Sequence, residues 1–248
     1  MSHRKLTIVL ATALLALAPA AYAQENPADE TDVASEEEEA SIFSWNAALT
    51  SDYVFRGVSQ TDEDPALQLG ADLNFDNGFY AGVWASNVDF GEGSPDIELD
   101  TYIGWNADLT DTVNLDVMLT RYNYIGESDD FGDGDYNELI GTLTWNEMLA
   151  FTAAYTNDVY NLDESGFYYA VNGSWELGGG FALDAGVGRN LFDEATEIED
   201  YTDWSLALSR DFGMVNIALG YYGTDSNGEW NFGDTGDDRL VLTFSIGG

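Results

Sequence analysis

The residues able to do chemistry in this chain are almost all carboxylates. Of 248 residues 46 are Asp or Glu and seven are Lys or Arg, giving a formal net charge of −39. There is no cysteine, and the one histidine is His3. Carboxylates alone support paired acid–base work or the attraction of cations. The best-spaced pair is Glu98 and Asp100, two apart on one strand face, with α-carbons about 6.6 Å apart. Acid–base chemistry tolerates that spacing, but a chain with 46 carboxylates makes such pairs by chance. A carboxylate-only hydrolase is therefore the weakest of three functional readings. Zinc sites built on Cys or His, thiol nucleophiles and histidine triads are excluded once His3 is removed. No catalytic residue, metal site or cofactor is assigned.

Two acidic runs, Asp129–Asp135 and Asp234–Asp238, gather oxygen ligands of the kind calcium takes. Neither follows the twelve-residue EF-hand pattern. They read as solvated loops, or as weak Ca²⁺ or Mg²⁺ bridges to lipopolysaccharide phosphates.

The charge is unevenly placed. Arg4 and Lys5 precede an apolar run from Leu6 to Ala18, then Pro19 and Ala21-Tyr22-Ala23. That is the plan of a secretory signal over residues 1–23. Residues 24–43 are acidic, with Glu36 to Glu39 in a row, and read as a disordered periplasmic linker. Beyond the signal the chain holds five arginines and no lysine. Such a balance argues against nucleic acid as a partner. It fits a solvated surface, adaptation to a salty medium, or a vestibule that attracts cations.

The elements that must position these acids are strands. From Ala66 to Phe75, Leu67, Leu69, Ala71, Leu73 and Phe75 share one face, with Gln68, Gly70, Asp72 and Asn74 on the other. The Asn77-Gly78 pair then offers the two positive φ angles of a tight hairpin turn. Similar segments fall near 44–57, 79–89, 97–107, 113–123, 136–146, 149–158, 167–177, 181–190, 201–210, 214–223 and 239–247. Short connections alternate with longer acidic ones. Aromatics gather near both strand ends, Tyr53 and Phe55 among those toward the long loops. Prolines fall only in the signal, the linker, at a strand entrance and in a loop. The fold predicted is all-β: an antiparallel up-and-down transmembrane β-barrel of about twelve strands over residues 44–248, in the bacterial outer membrane with both termini periplasmic.

A barrel in lipid must turn its apolar face outward, because a charge at the midplane costs about 2–4 kcal/mol. The polar parity then lines the lumen. The candidate pore-lining residues are Asp52, Arg56, Asp72, Glu98, Asp100, Asp116, Glu138, Asp184, Asp203 and Arg239, and Asp158 and Glu176 share the parity. Asp52 and Arg56 lie about 13 Å apart along a strand and must find other partners. Arg121, Arg189 and Arg210 fall on the apolar parity near strand ends and read as surface anchors. Many inward positions are small, and twelve strands exceed the roughly eight whose interior side chains fill, so a narrow water-filled lumen is expected.

The stretch from Ser51 to Gln60 (SDYVFRGVSQ), the stretch from Gly78 to Phe90 (GFYAGVWASNVDF) and Glu98-Leu99-Asp100 together resemble a proteobacterial porin family, the TorF-type or Gcw_chp proteins. The likeness runs over nearly the whole mature chain. It implies an outer-membrane barrel that holds lipid and lipopolysaccharide outside and is inserted by the barrel assembly machinery. That machinery usually reads a terminal aromatic, and the last one here is Phe244. Barrel and acids together predict passive diffusion of small hydrophilic solutes, cations preferred. The alternative is a non-conducting barrel acting as an adhesin or lipopolysaccharide-binding surface protein through its acidic loops.

Overall fold

The computed structural model describes residues 42–128, 131 and 133–248. The expected signal and most of the expected acidic linker lie outside these residues, as do Asp129, Asp130 and Gly132 of the first acidic run. In chain order the strands are β1 (Phe43–Thr50), β2 (Val54–Phe55), β3 (Val58–Ser59), β4 (Ala66–Asn74), β5 (Phe79–Asn87), β6 (Ile97–Thr110) and β7 (Val113–Ile125). They continue with β8 (Tyr136–Trp145), β9 (Leu149–Thr156), β10 (Gly166–Glu176), β11 (Phe181–Phe192), β12 (Tyr201–Phe212), β13 (Val215–Thr224) and β14 (Arg239–Gly247). Twelve of them close an antiparallel barrel in which each strand pairs with its neighbours in the chain. β1 shuts it by pairing with both β14 and β4, Ala48 standing opposite Ser245 on one side and Gln68 on the other. Closure leaves no barrel strand with an unpaired edge, which an apolar solvent would not tolerate.

Side-chain alternation follows the parity read from the sequence. Leu67, Leu69, Val83, Ile103, Leu119, Leu139, Phe151 and Leu206 are exposed on the outer surface, and Gln68, Glu98, Thr120, Glu138, Thr152 and Asp203 are buried inside. An apolar outside around a polar inside inverts the order of a water-soluble sandwich, and suits a barrel surrounded by lipid.

Two expectations need correction. The Asn77-Gly78 turn is not a two-residue turn with both φ positive: only Gly78 (φ 83°) is left-handed. Gly78 N donates to Phe75 O at 2.9 Å and Phe75 N to Phe79 O at 2.9 Å, a three-residue loop closed by a left-handed glycine. The second concerns the first predicted strand, 44–57, which leaves the barrel wall at Thr50. Residues 51–64 then turn inward, β2 and β3 pairing as a miniature hairpin. Its tip is Arg56-Gly57, with φ 43° and 83°, the conformation first expected at Asn77-Gly78. The connection 225–238 also carries structure, a short helix α1 (Ser226–Phe232) capped by the Asp225 carboxylate, which accepts from Asn227 N and Gly228 N.

Candidate functional site: a hairpin across the lumen

The hydrophobic core of this protein lies inside the barrel, at its long-loop end. Tyr53, Phe55 and Val58 of the hairpin pack there against Val88, Tyr122, Tyr124, Tyr136, Val159, Tyr160, Ile198 and Tyr201. Tyr53 and Phe55 are thus not interfacial anchors; Tyr53 has no exposed surface at all. Ring contacts run along the wall from Tyr122 to Tyr136 (4.6 Å), Tyr160 (5.8 Å), Phe192 (6.2 Å), Tyr201 (6.1 Å) and Phe232 (5.3 Å). Aromatic pairs at these separations add attraction beyond the area they bury. The rings form an arc facing the hairpin.

Polar contacts tie the hairpin to opposite walls. At the tip, Arg56 Nη2 donates to both oxygens of Glu138 on β8, at 3.0 and 2.9 Å. Its guanidinium lies 4.1 Å from the ring centre of Tyr168 on β10 and 4.5 Å from that of Phe55. The Tyr122 hydroxyl donates to Glu138 Oε2 at 3.1 Å. In the stem, Arg239 Nη1 on β14 donates to Asp52 Oδ2 at 3.0 Å, and Ser59 Oγ to Asp52 Oδ1 at 2.6 Å. The Tyr53 hydroxyl donates to Glu98 Oε1 on β6 at 3.2 Å, and its ring meets Trp84 edge-on at 5.3 Å. Burial, then the charges of Glu98 and Asp100, push the Tyr53 phenol well above its ordinary value. Gly57 lies against β12 and β13: a β-carbon there would fall 2.4 Å from the Gly223 carbonyl oxygen and 3.0 Å from Asp203 Cβ. The hairpin therefore touches walls all round the barrel and crosses the lumen.

Toward the short turns the interior has a different character. Asn46, Asp72, Asn114, Asp116, Thr144, Asn172, Ser174, Asp184, Asn216 and Ser245 face inward and are only partly buried. Part of this region is filled. The Tyr102 hydroxyl donates to Asp72 Oδ1 at 2.5 Å and the Tyr80 hydroxyl to Asp116 Oδ1 at 2.9 Å. Several inward glycines, read as room in the lumen, instead make space for rings: a β-carbon at Gly104 would fall within 2.6 Å of the Tyr80 ring. In place of the continuous narrow lumen expected, the interior is a polar, acid-lined vestibule beneath a packed plug.

The ten sequence-predicted residues separate along this division. Arg56 and Glu138 meet at the hairpin tip, and Asp52 and Arg239 at its stem. Asp52 and Arg56 belong to the hairpin and not to a wall strand. Glu98 and Asp100 are buried under it, and Asp203 accepts from Asn190 Nδ2 at 3.1 Å beside the tip. Asp72, Asp116 and Asp184 line the vestibule. The outward arginines sit at strand ends: Arg121 on Asp135 at 3.0 Å, Arg189 on Asp225 at 3.4 Å, and Arg210 stacked on Phe181 and Phe212. Sequence reasoning missed Tyr53, Val58 and Gln60 as lumen residues, and Tyr80, Tyr102, Tyr122 and Tyr168 as lumen-filling ones. The signal for the tyrosines was present, since all four share the parity of the inward acids.

A closed twelve-strand barrel, apolar outside and acidic inside, defines a membrane-spanning β-barrel of the outer-membrane class. Over residues 34–245 the chain matches the family described as "Bacterial protein of unknown function (Gcw_chp)", and it belongs to that family. None of the curated protein sequences matches it. Among solved structures it is similar to the NanC porin, with 11% identity and a TM-score of 0.51 over 83% of this chain and 97% of that one. It is also similar to the KdgM porin (8% identity, TM-score 0.49, 82% and 97%) and to LpxR from Salmonella typhimurium (10%, 0.47, 82% and 99%). At such identities the likeness is one of fold.

Proposed function

We propose that this protein is an outer-membrane channel for passive diffusion of small hydrophilic solutes, cations preferred, with the Ser51–Asp64 hairpin as its constriction. The observation that carries the reading is the vestibule: inward Asp72, Asp116 and Asp184 stand there among neutral polar groups, and the two lumenal arginines, Arg56 and Arg239, are both paired with carboxylates. A one-sign field focused by a low-dielectric wall concentrates counter-ions. The signal-like N-terminus and the twelve-strand count support periplasmic termini, with the hairpin at the cell-surface end and lipopolysaccharide around the outer rim.

The test is the reversal potential of refolded protein in a potassium chloride gradient across a planar bilayer. Cation-selective events that lose selectivity when Asp72, Asp116 and Asp184 are changed to Asn support the proposal, and anion preference refutes it. The hairpin itself favours a second reading, a non-conducting barrel that works through its acidic loops. Silence from a folded protein, persisting after residues 53–60 are deleted, would select that reading.

A further inference from the structure

We infer that Glu138 and the aromatic rings around it form a binding site for guanidinium or alkylammonium solutes, which the chain's own Arg56 occupies as a tethered stand-in. The inference deepens the channel reading by naming a solute class. The guanidinium lies between a carboxylate that takes two hydrogen bonds from it and the face of Tyr168 at 4.1 Å, with Phe55 at 4.5 Å. Carboxylate plus ring face is how proteins hold free organic cations. Glu138 on β8 is almost wholly buried and also held by the Tyr122 hydroxyl, and with Tyr168 on β10 it forms the half of the cage that stays in the wall when Phe55 leaves with the tip.

Arg56, by contrast, fits its place poorly. It adopts φ 43° at a turn position that favours Gly, Asn or Asp. Its buried Nε has no hydrogen-bond partner among the described residues. A cavity of about 10 Å³ borders Arg56, Glu138 and Tyr160, room for about one water beside the pair. A side chain kept there against its backbone preference is kept for what its head group does. A free cation concentrated by the acidic vestibule carries that head group without the turn. By replacing Arg56 on Glu138 it would release the tip, so the solute would open its own path. The competitor is intramolecular, so the solute must reach the tip's effective concentration, millimolar for short tethers.

The experiment uses the absence of cysteine from the sequence. Val58→Cys places one thiol beside the tip, where Val58 has no exposed surface. Its modification by a membrane-impermeant maleimide is followed in refolded protein with L-arginine at about 10 mM and above, L-citrulline as the neutral isostere, and sodium chloride at matched ionic strength. The expected result is a labelling rate raised about sixfold once arginine reaches about five times its Kd, with no effect of citrulline or salt. Glu138→Gln should label fast without arginine and not respond to it. Equal effects of arginine and sodium chloride would overturn the inference without recourse to any cage variant. So would an undiminished arginine response in a folded Glu138→Gln protein. Conductance recorded in parallel separates the two proposals: faster labelling without current upholds the binding site while the channel reading fails.

Discussion

Glu138→Gln is the most demanding test of the hairpin as a docked, releasable element. In the native protein the Arg56 and Glu138 side chains are 13% and 3% exposed. The substitution keeps the size of the side chain but leaves a buried guanidinium facing a neutral amide. Breaking one partner of a buried ion pair costs about 3–5 kcal/mol, because the remaining charge is uncompensated. The barrel need not unfold to relieve that cost: the tip can withdraw and carry Arg56 to water. The closed-to-open ratio of the hairpin should then fall by about two to three-and-a-half powers of ten. Hydrogen exchange followed by mass spectrometry reads this directly. The peptide containing Tyr53 to Gln60 should lose protection, and so should the Asp89 amide, which donates to Gln60 O at 2.9 Å. Amides in the β10–β11 ladder serve as an internal control. Replacing both partners, as in Arg56→Met with Glu138→Leu, leaves no buried charge and should restore most of the protection. Unchanged exchange in Glu138→Gln, or a double variant that opens as far as the single one, would refute the assignment of this pair as the latch.

Other perturbations separate the parts of the design. Gly57→Ala should undock the tip while leaving the barrel closed, because φ 83° and the Gly223 carbonyl both reject a β-carbon; the same exchange assay checks it, with a cost of about 1–2 kcal/mol from the backbone alone. Arg239→Ala leaves Asp52 without its cation in a nearly buried stem and should free the hairpin by an amount comparable to Glu138→Gln, read as cysteine accessibility at Val58→Cys. Raising the pH tests Tyr53, whose phenol is held above its ordinary value by burial and by Glu98. Its contribution to docking is complete below about pH 10 and is lost as the pH climbs toward the folded value. In the Val58→Cys background, alkylation by iodoacetamide should therefore accelerate more above pH 10 with Tyr53 present than with Tyr53→Phe. Asp72→Asn with Asp184→Asn should move the reversal potential toward zero, and less so in concentrated salt, where screening already weakens the field.

The barrel was legible because lipid imposes a period of two on every spanning strand, and a wrong register would expose a charge to hydrocarbon. Leu67, Leu69 and Leu73 against Gln68 and Asp72 leave no second choice of face. The hairpin was not legible by that rule. Tyr53 and Phe55 resume the parity of Trp45, Ala47 and Leu49 after Ser51, and that local period does not say that the chain has left the wall. The clue lay in length and composition: the segment 44–57 is longer than the other predicted strands and ends on an Arg-Gly pair that can turn tightly, with apolar Val58 just beyond it. The filling of the lumen was hidden for another reason. Glycine and tyrosine on one parity look like space and bulk at separate positions, whereas across a ladder Gly104 and Tyr80 are partners, and the ring lies over the glycine.

The placement of the five arginines joins occlusion to charge. Arg121, Arg189 and Arg210 stand outside the barrel at strand ends, where a lipid-facing charge costs little. Arg56 and Arg239 stand inside, and both hold the hairpin. At the level of the plug Arg56 stands against Glu138 and Arg239 against Asp52, among the further buried acids Glu98, Asp100 and Asp203. Withdrawing the tip removes Arg56 from the path and leaves Glu138 facing the vestibule that already carries Asp72, Asp116 and Asp184. On the proposed reading, the pathway gains a negative charge at its narrowest point in the same motion that clears it. Opening and cation preference would then be one event, and a variant held open should show a larger cation preference when Glu138 is retained than when it is neutralised.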